Sequence, residues 1–170
     1  MAVDIFLVIP GVKGETTDAQ FVKQNAIDVQ SWNWGMSQAG SAGMGSGSGV
    51  GKVNIQDLTL VKYTDLSTPT LMAACCAGTA YGTSASTPVV LTMRKSGGTA
   101  MIYLQISLFN VTVSSVSPST SSGDDMQSET ISLHFGAVQV VYTPQNANGQ
   151  PGASVTMTWN VAGNSPKLPG

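Results

Sequence analysis

Three places in this 170-residue chain hold residue types that could do chemistry: the single histidine His134, the adjacent thiols Cys75 and Cys76, and a glycine-rich stretch from Gly40 to Lys52. The glycine-rich stretch invites comparison with a phosphate-binding loop. GxxxxGK ending at Lys52 needs glycine at position 46, where Ser46 stands, and Val53 follows where serine or threonine would hold a metal ion. A dinucleotide fingerprint fails too. Starting from Gly43, Gly45 or Gly47, the third glycine position falls on Ser48, Val50 or Lys52, and the pattern that follows is that of a strand rather than a helix. His134 lies between Leu133 and Phe135, so on a strand it projects with Ser132 to the polar face. There is no GxSxG elbow, and serine is so common here that a Ser/His/Asp grouping means nothing at the level of sequence. Cys75 and Cys76 are too close for an ordinary loop-closing disulfide and lack the paired spacing of a zinc site. The residues therefore predict no catalytic centre, no metal site and no cofactor.

What the Gly/Ser stretch does offer is length. Within the segment Ile27 to Lys62 two strand-like stretches flank it, whereas hairpin loops usually need about two to five residues. A longer loop costs closure entropy, and the reading that follows is a docking element or a disordered tip. In the strand before it, Trp32 and Trp34 share one face while Ser31 and Asn33 share the other. The tryptophan side reads as core or subunit contact, with a carbohydrate-stacking platform as the second reading. The opposite side is polar but uncharged.

Composition bounds the partners. Charged residues make up 9% of the chain and the formal net charge is -2, against a usual charged share of about 25%. Such a surface has no basic stripe for nucleic acid, and little like-charge repulsion opposes self-association. No apolar run approaches the ~18 residues of a membrane span. The opening MAVDIFLVIPGVKGE lacks a basic leader and a long apolar region, so it reads as a first strand and the chain is expected to be made in the cytoplasm.

Most of the remainder alternates with period two. Val89, Leu91 and Met93 mark a strand that turns at Ser96-Gly97-Gly98 into Ile102, Leu104, Ile106 and Leu108. The apolar phase then shifts at Val111 and Val113, which predicts a bulge or bend near Phe109 and Asn110; a second shift around Gly136 predicts another. The last strand is Val155 to Val161. One helix is predicted over Pro69 to Ala77, capped by Thr68, ended by Gly78, and holding the sheet through Leu71, Met72 and Cys75. The predicted fold is mainly β, a barrel or curved sandwich with one flanking helix. It is read as a single domain over 1–161 containing loops at 38–52 and 117–125, followed by a flexible tail over 162–170.

The segments MAVDIFLVIPGVKGET, IDVQSWNWGMSQ, GKVNIQDLTLVKYTD, TPTLMAACCAG, VVLTMRKSGG, YLQISLFNVTVSSV and ETISLHFGAVQVVYTPQ, in that order and spacing, resemble the hemolysin-coregulated protein (Hcp) family of type VI secretion systems. The sequence departs from the family pattern at Val8, where lysine is frequent. The resemblance implies a tail-tube-like barrel that forms a homo-hexameric ring, stacks into a tube, and is driven out with a spike protein by a contractile sheath. Small effector proteins can ride in the lumen, and secretion then proceeds without a signal peptide. By position, Gln38, Gly40, Gly43, Met44, Gly45, Gly47, Gly49, Gly51 and Lys52 form the expected ring-stacking loop. Ser31 and Asn33 are the candidate lumen residues. The alternatives are a bacteriophage tail-tube subunit and a carbohydrate-binding β-sandwich using Trp32 and Trp34.

Overall fold

Period-two alternation turns into antiparallel pairing almost everywhere in the computed structural model, which describes residues 2–40, 51–97 and 100–170. In chain order the strands are β1 (Val3–Val8), β2 (Ile27–Asp28), β3 (Ser31–Asn33), β4 (Met36–Ser37), β5 (Asn54–Ile55) and β6 (Leu58–Tyr63). The helix α1 (Ser67–Ala77) follows, then β7 (Ala80–Tyr81), β8 (Val89–Lys95), β9 (Met101–Phe109), β10 (Val111–Ser119), β11 (Ser128–His134), β12 (Ala137–Tyr142) and β13 (Val155–Asn160). One sheet runs β13-β12-β9-β8-β1-β2, a second runs β3-β6-β11-β10-β7, and β4 and β5 form a separate ribbon. Of the two predicted architectures the sandwich is the one observed; among the described residues the strands do not close into a barrel. No helix among them is long and apolar enough to cross a membrane.

The two predicted phase shifts are corners between sheets. Asn110, at φ +51°, separates β9 in the first sheet from β10 in the second. Gly136 separates β11 in the second sheet from β12 in the first. The corners touch: the Gly136 amide donates to the Phe109 carbonyl at 2.9 Å, and a Cβ on Gly136 would stand 3.3 Å from that of Asn110. True register shifts lie elsewhere, between Val113 and Ser115 and between Met93 and Arg94.

Between the sheets lie Leu7, Ile27, Leu58, Leu60, Leu91, Ile106, Leu108, Ile131 and Leu133, all essentially inaccessible. α1 closes the core with Leu71 and Ala74, while Met72, expected inside, is exposed and Cys75 is half-buried. Ala74 falls three residues after Leu71, on the same helical face, and its small side chain lets the helix lie close to β10. The expected cap Thr68 is replaced by Asp65. The Asp65 carboxylate accepts from the Ser67 amide at 2.9 Å, and Thr68 Oγ1 accepts from the Asp65 amide at 3.1 Å, a reciprocal box that starts the helix two residues early.

β10 also runs further than expected, through Ser117, Pro118 and Ser119, which face Thr130, Glu129 and Ser128. Its other neighbour β7 pairs with Val111 and Thr112 alone, so among the described residues Pro118 sits on a free edge where no amide hydrogen is needed. The segment after β13 folds back on it. Asn160 and Ser165 exchange backbone hydrogen bonds, and Thr158 Oγ1 donates to the Pro166 carbonyl.

Two charged clusters pin the periphery. Lys62 is wholly buried; its Nζ meets Glu129 Oε1 and Asp65 Oδ1 at 2.7 Å each and the Tyr63 carbonyl at 2.8 Å. Thr68 Oγ1 donates to the same Glu129 oxygen, so this cluster ties α1 to β6 and β11. On the outside of the first sheet, Arg94 lies against the stacked rings of Phe6 and Phe21 and pairs with Asp4 and Asp18. This holds the loop after β1 against the sheet. Hydrogen bonds from Arg94 hold both carboxyls below their ordinary value, assisted by Ser96 at Asp4 and by the Gln20 amide at Asp18, against a smaller opposing effect of burial.

Lys62→Met leaves Glu129 charged and unpaired in the core, and should cost about 3–5 kcal/mol. Lys62→Met combined with Glu129→Leu should recover most of the loss, which urea midpoints of the three proteins will test. Because Asp4 and Asp18 titrate below the ordinary carboxyl value of 3.8, their contribution is complete above that pH and is lost as pH falls through the lowered values. Amide exchange in residues 16–24 should accelerate over that acid range and not near neutrality.

Candidate functional site

The strand alternation that turns Leu58, Leu60, Ile131 and Leu133 inward turns a row of hydroxyls outward on the second sheet. Ser31 faces Val61, and Asn33 faces Thr59. Thr59 and Val61 in turn face Ser132 and Thr130, and these face Ser115 and Ser117 on β10. Thr59 and Ser132 share a hydrogen bond at 3.2 Å. Ser31 and Asn33 are exposed, and the charged residues of these strands, Lys62 and Glu129, point the other way. Along these rows the face can therefore form hydrogen bonds with what passes over it without attracting either sign of charge, the Asp57 and His134 pair lying at its end.

Trp32 and Trp34 pack against the core. Trp34 meets Phe135 edge-on at 5.8 Å and donates through Nε1 to the Gln56 carbonyl at 2.9 Å. This packing is that of the core reading of the two tryptophans.

Beyond Asn33 the chain leaves the sheet as the β4–β5 ribbon, with Met36 opposite Ile55 and Ser37 opposite Asn54. Gln38, Gly40, Gly51 and Lys52 continue it and are exposed. Gly43, Met44, Gly45, Gly47 and Gly49 of the expected loop lie outside the described residues. The ribbon and the hydroxyl face are thus continuous through β3 and β6, but Ser31 and the loop residues do not converge on one spot.

A cluster not anticipated from sequence sits where the ribbon joins the sheet. Asp57 accepts from Ser114 Oγ at 2.6 Å and lies 2.8 Å from His134 Nδ1. Burial pushes the Asp57 carboxyl up, but the Ser114 and His134 hydrogen bonds, with the charge of His134, together hold it below its ordinary value. These three residue types are those of a hydrolytic triad, yet the connectivity differs: the serine bonds the aspartate instead of the imidazole that would take its proton. The arrangement is a tie. Ser114 is the extra residue of the β10 bulge, and Asp57 draws that bulge and the end of β11 to the base of the ribbon. No group of three or more metal-ligating side chains occurs among the described residues. The thiols of Cys75 and Cys76 are free, the first half-buried and the second exposed.

The comparisons with known proteins agree with this architecture. A family model described as "Type VI secretion system effector, Hcp" matches residues 6–142. Protein hcp1 of Pseudomonas aeruginosa is 48% identical over 166 residues, spanning 96% of this chain and 98% of the relative. Among solved structures, one described as a type six secretion system protein superposes with a TM-score of 0.87 at 25% identity, covering 98% of this chain and all of the other. Hcp1 from Salmonella typhimurium superposes with a TM-score of 0.74 at 29% identity, over 97% and 99% of the two chains.

Replacing Asp57 with alanine should cost about 1 kcal/mol. It should selectively accelerate hydrogen exchange at the Gln56 amide and the Trp34 indole. Unchanged exchange at both would mean that the tie does not hold the ribbon.

Proposed function

This chain belongs to the Hcp family of type VI secretion proteins, and from that premise we propose that it is a structural subunit of the secretion tube, built as stacked homo-hexameric rings. The reading includes no catalysis: the protein works by assembly, as one Hcp-like domain over residues 1–161. It is held in the cytoplasm until a contractile sheath drives the tube and its spike out of the cell.

The observation that carries the proposal is the outward face of the second sheet. Ser31, Asn33, Thr59, Thr130, Ser132, Ser115 and Ser117 make it hydroxyl-rich and free of lysine, arginine and carboxylates along those rows. A lumen wall must touch cargo without trapping it, and neutral hydroxyls that are already partly satisfied by each other suit that use. The ribbon beyond Asn33 supports a stacking role for Gln38 to Lys52, since Met36, Ser37, Gln38, Gly40, Gly51 and Lys52 are exposed on it. Exposed inward-facing residues at the β13 edge, Val155, Met157 and Tyr142, support a neighbour in the ring. Small effector proteins are the proposed cargo.

Electron microscopy with light scattering on the purified protein tests the assembly, and an unchanging compact monomer at every concentration would overturn it. Asn33→Arg should leave the rings intact and reduce retention of co-expressed cargo several-fold. Equal retention would remove Asn33 from the lumen wall.

A further inference from the structure

The chain has one histidine, and histidine is the side chain that ordinarily changes charge between about pH 5 and 8. His134 stands where three segments of the second sheet meet. Asp57, in the connection from β5 to β6, receives Ser114 Oγ of β10 at 2.6 Å and lies 2.8 Å from His134 Nδ1 of β11. A carboxylate only accepts, so Nδ1 carries a proton and Nε2 is the nitrogen left to titrate. The His134 side chain is 64% exposed, and that proton exchanges with solvent.

The bonds at Asp57 act on its neighbour in the chain. The Gln56 amide donates to the Gly35 carbonyl at 3.0 Å, and the Gln56 carbonyl accepts from Trp34 Nε1 at 2.9 Å. Trp34 in turn packs edge-on against Phe135, the residue after His134. The other titratable groups on these elements are remote or already engaged. β3, β10 and β13 carry none, and β12 carries only Tyr142, at the end away from Gly136. Lys62 of β6 and Glu129 of β11 are buried and paired with each other, with Tyr63 beside Lys62 at the far end of β6. Lys52, before β5, takes part in no ion pair among the described residues. Asp57 is thus the one charge that answers His134.

We propose that Asp57, Ser114 and His134 form an acid-tightened clamp, which binds the β5–β6 connection to β10 and β11 most firmly while His134 is protonated and loosens it when His134 becomes neutral. This goes beyond the assembly reading and holds for a single chain as well as for a ring. Burial pushes the Asp57 carboxyl up, but its bonds to Ser114 and His134, with the charge of His134, outweigh burial and keep its titration below 3.8. The charged pair therefore persists from that acid limit up to the titration of His134, and its contribution fades as pH rises through the latter. Loss of the imidazolium charge leaves a neutral donor on the carboxylate, a weaker bond than one between two ions. It also leaves Asp57 as an uncompensated charge at the end of the hydroxyl rows. Solvent screens a pair this exposed, so the response is graded rather than all-or-none.

Hydrogen exchange of the unaltered protein over residues 54–57, followed by mass spectrometry and divided by the intrinsic rate at each pH, reads the clamp directly. Protection should fall about threefold between about pH 5 and pH 7.5, while β8 and β9 of the other sheet keep theirs. The midpoint should coincide with the titration of the one histidine ring followed by NMR. His134→Gln retains an uncharged donor and should give a single low protection across the range, as should Asp57→Asn. Constant protection in the unaltered protein, a decline that persists in His134→Gln, or an equal decline in β8 and β9 would overturn the clamp.

Discussion

The fold turns on the contact between two corners, Asn110 and Gly136, at which the chain passes from one sheet to the other in opposite directions. A long strand cannot serve both sheets of a sandwich unless it bends sharply while keeping its amides bonded. Asn110 does so in the left-handed region, and its amide is accepted by the Gly82 carbonyl at 2.9 Å. Gly136 does so by giving its amide to Phe109 and its carbonyl to the Val161 amide. A Cβ at the second corner would stand 3.3 Å from that of Asn110, a tight fit, and the Gly136 amide bonds the residue before Asn110, so the two bends are coupled. The inward register of β9, β10, β11 and β12 follows, and with it the outward register that presents the hydroxyl row.

The opposite margin of the second sheet is held by a different kind of force. Lys62 and Glu129 sit in phase with the leucines and isoleucines of β6 and β11, in places where aliphatic side chains would cost less to bury. Their attachment to Asp65 and Thr68 sets the position of the first turn of α1, which apolar contact at Leu71 and Ala74 leaves less specified. Directional bonds at the helix start and non-directional packing further along give a defined placement to a short helix whose burial alone is modest.

Much of this was legible in the residues, and the misses have physical causes. Alternation located nearly every strand, and both phase changes were visible. Period-two arithmetic, however, is the same for a bulge within a sheet and for a corner between sheets, so it could not separate a barrel from a sandwich. The cap moved from Thr68 to Asp65 because both residue types cap helices and lie three apart, which is the spacing that lets them act together. Met72 lost its expected place to Ala74, since the close approach of α1 favours the smaller side chain at i+3 from Leu71. The Lys62 and Glu129 pair was readable in principle: each occupies an inward phase in an otherwise apolar row, and two opposite charges so placed suggest each other. The Asp57 tie was not readable, because Ser114 reaches Asp57 through a bulge that alternation does not position.

The low charge of the chain acquires a structural meaning from where its charges lie. Nine acidic and seven basic side chains are present. Lys62, Asp65 and Glu129 are consumed inside, and Arg94, Asp4 and Asp18 are consumed in holding a loop. Asp57 is engaged at the ribbon base. The hydroxyl rows are left neutral, and Asp28, Asp124 and Asp125 remain unpaired among the described residues at one end of the strands, with Lys52 at the other. Charge is thereby confined to the two ends of β3 and β6 and kept off the rows between them.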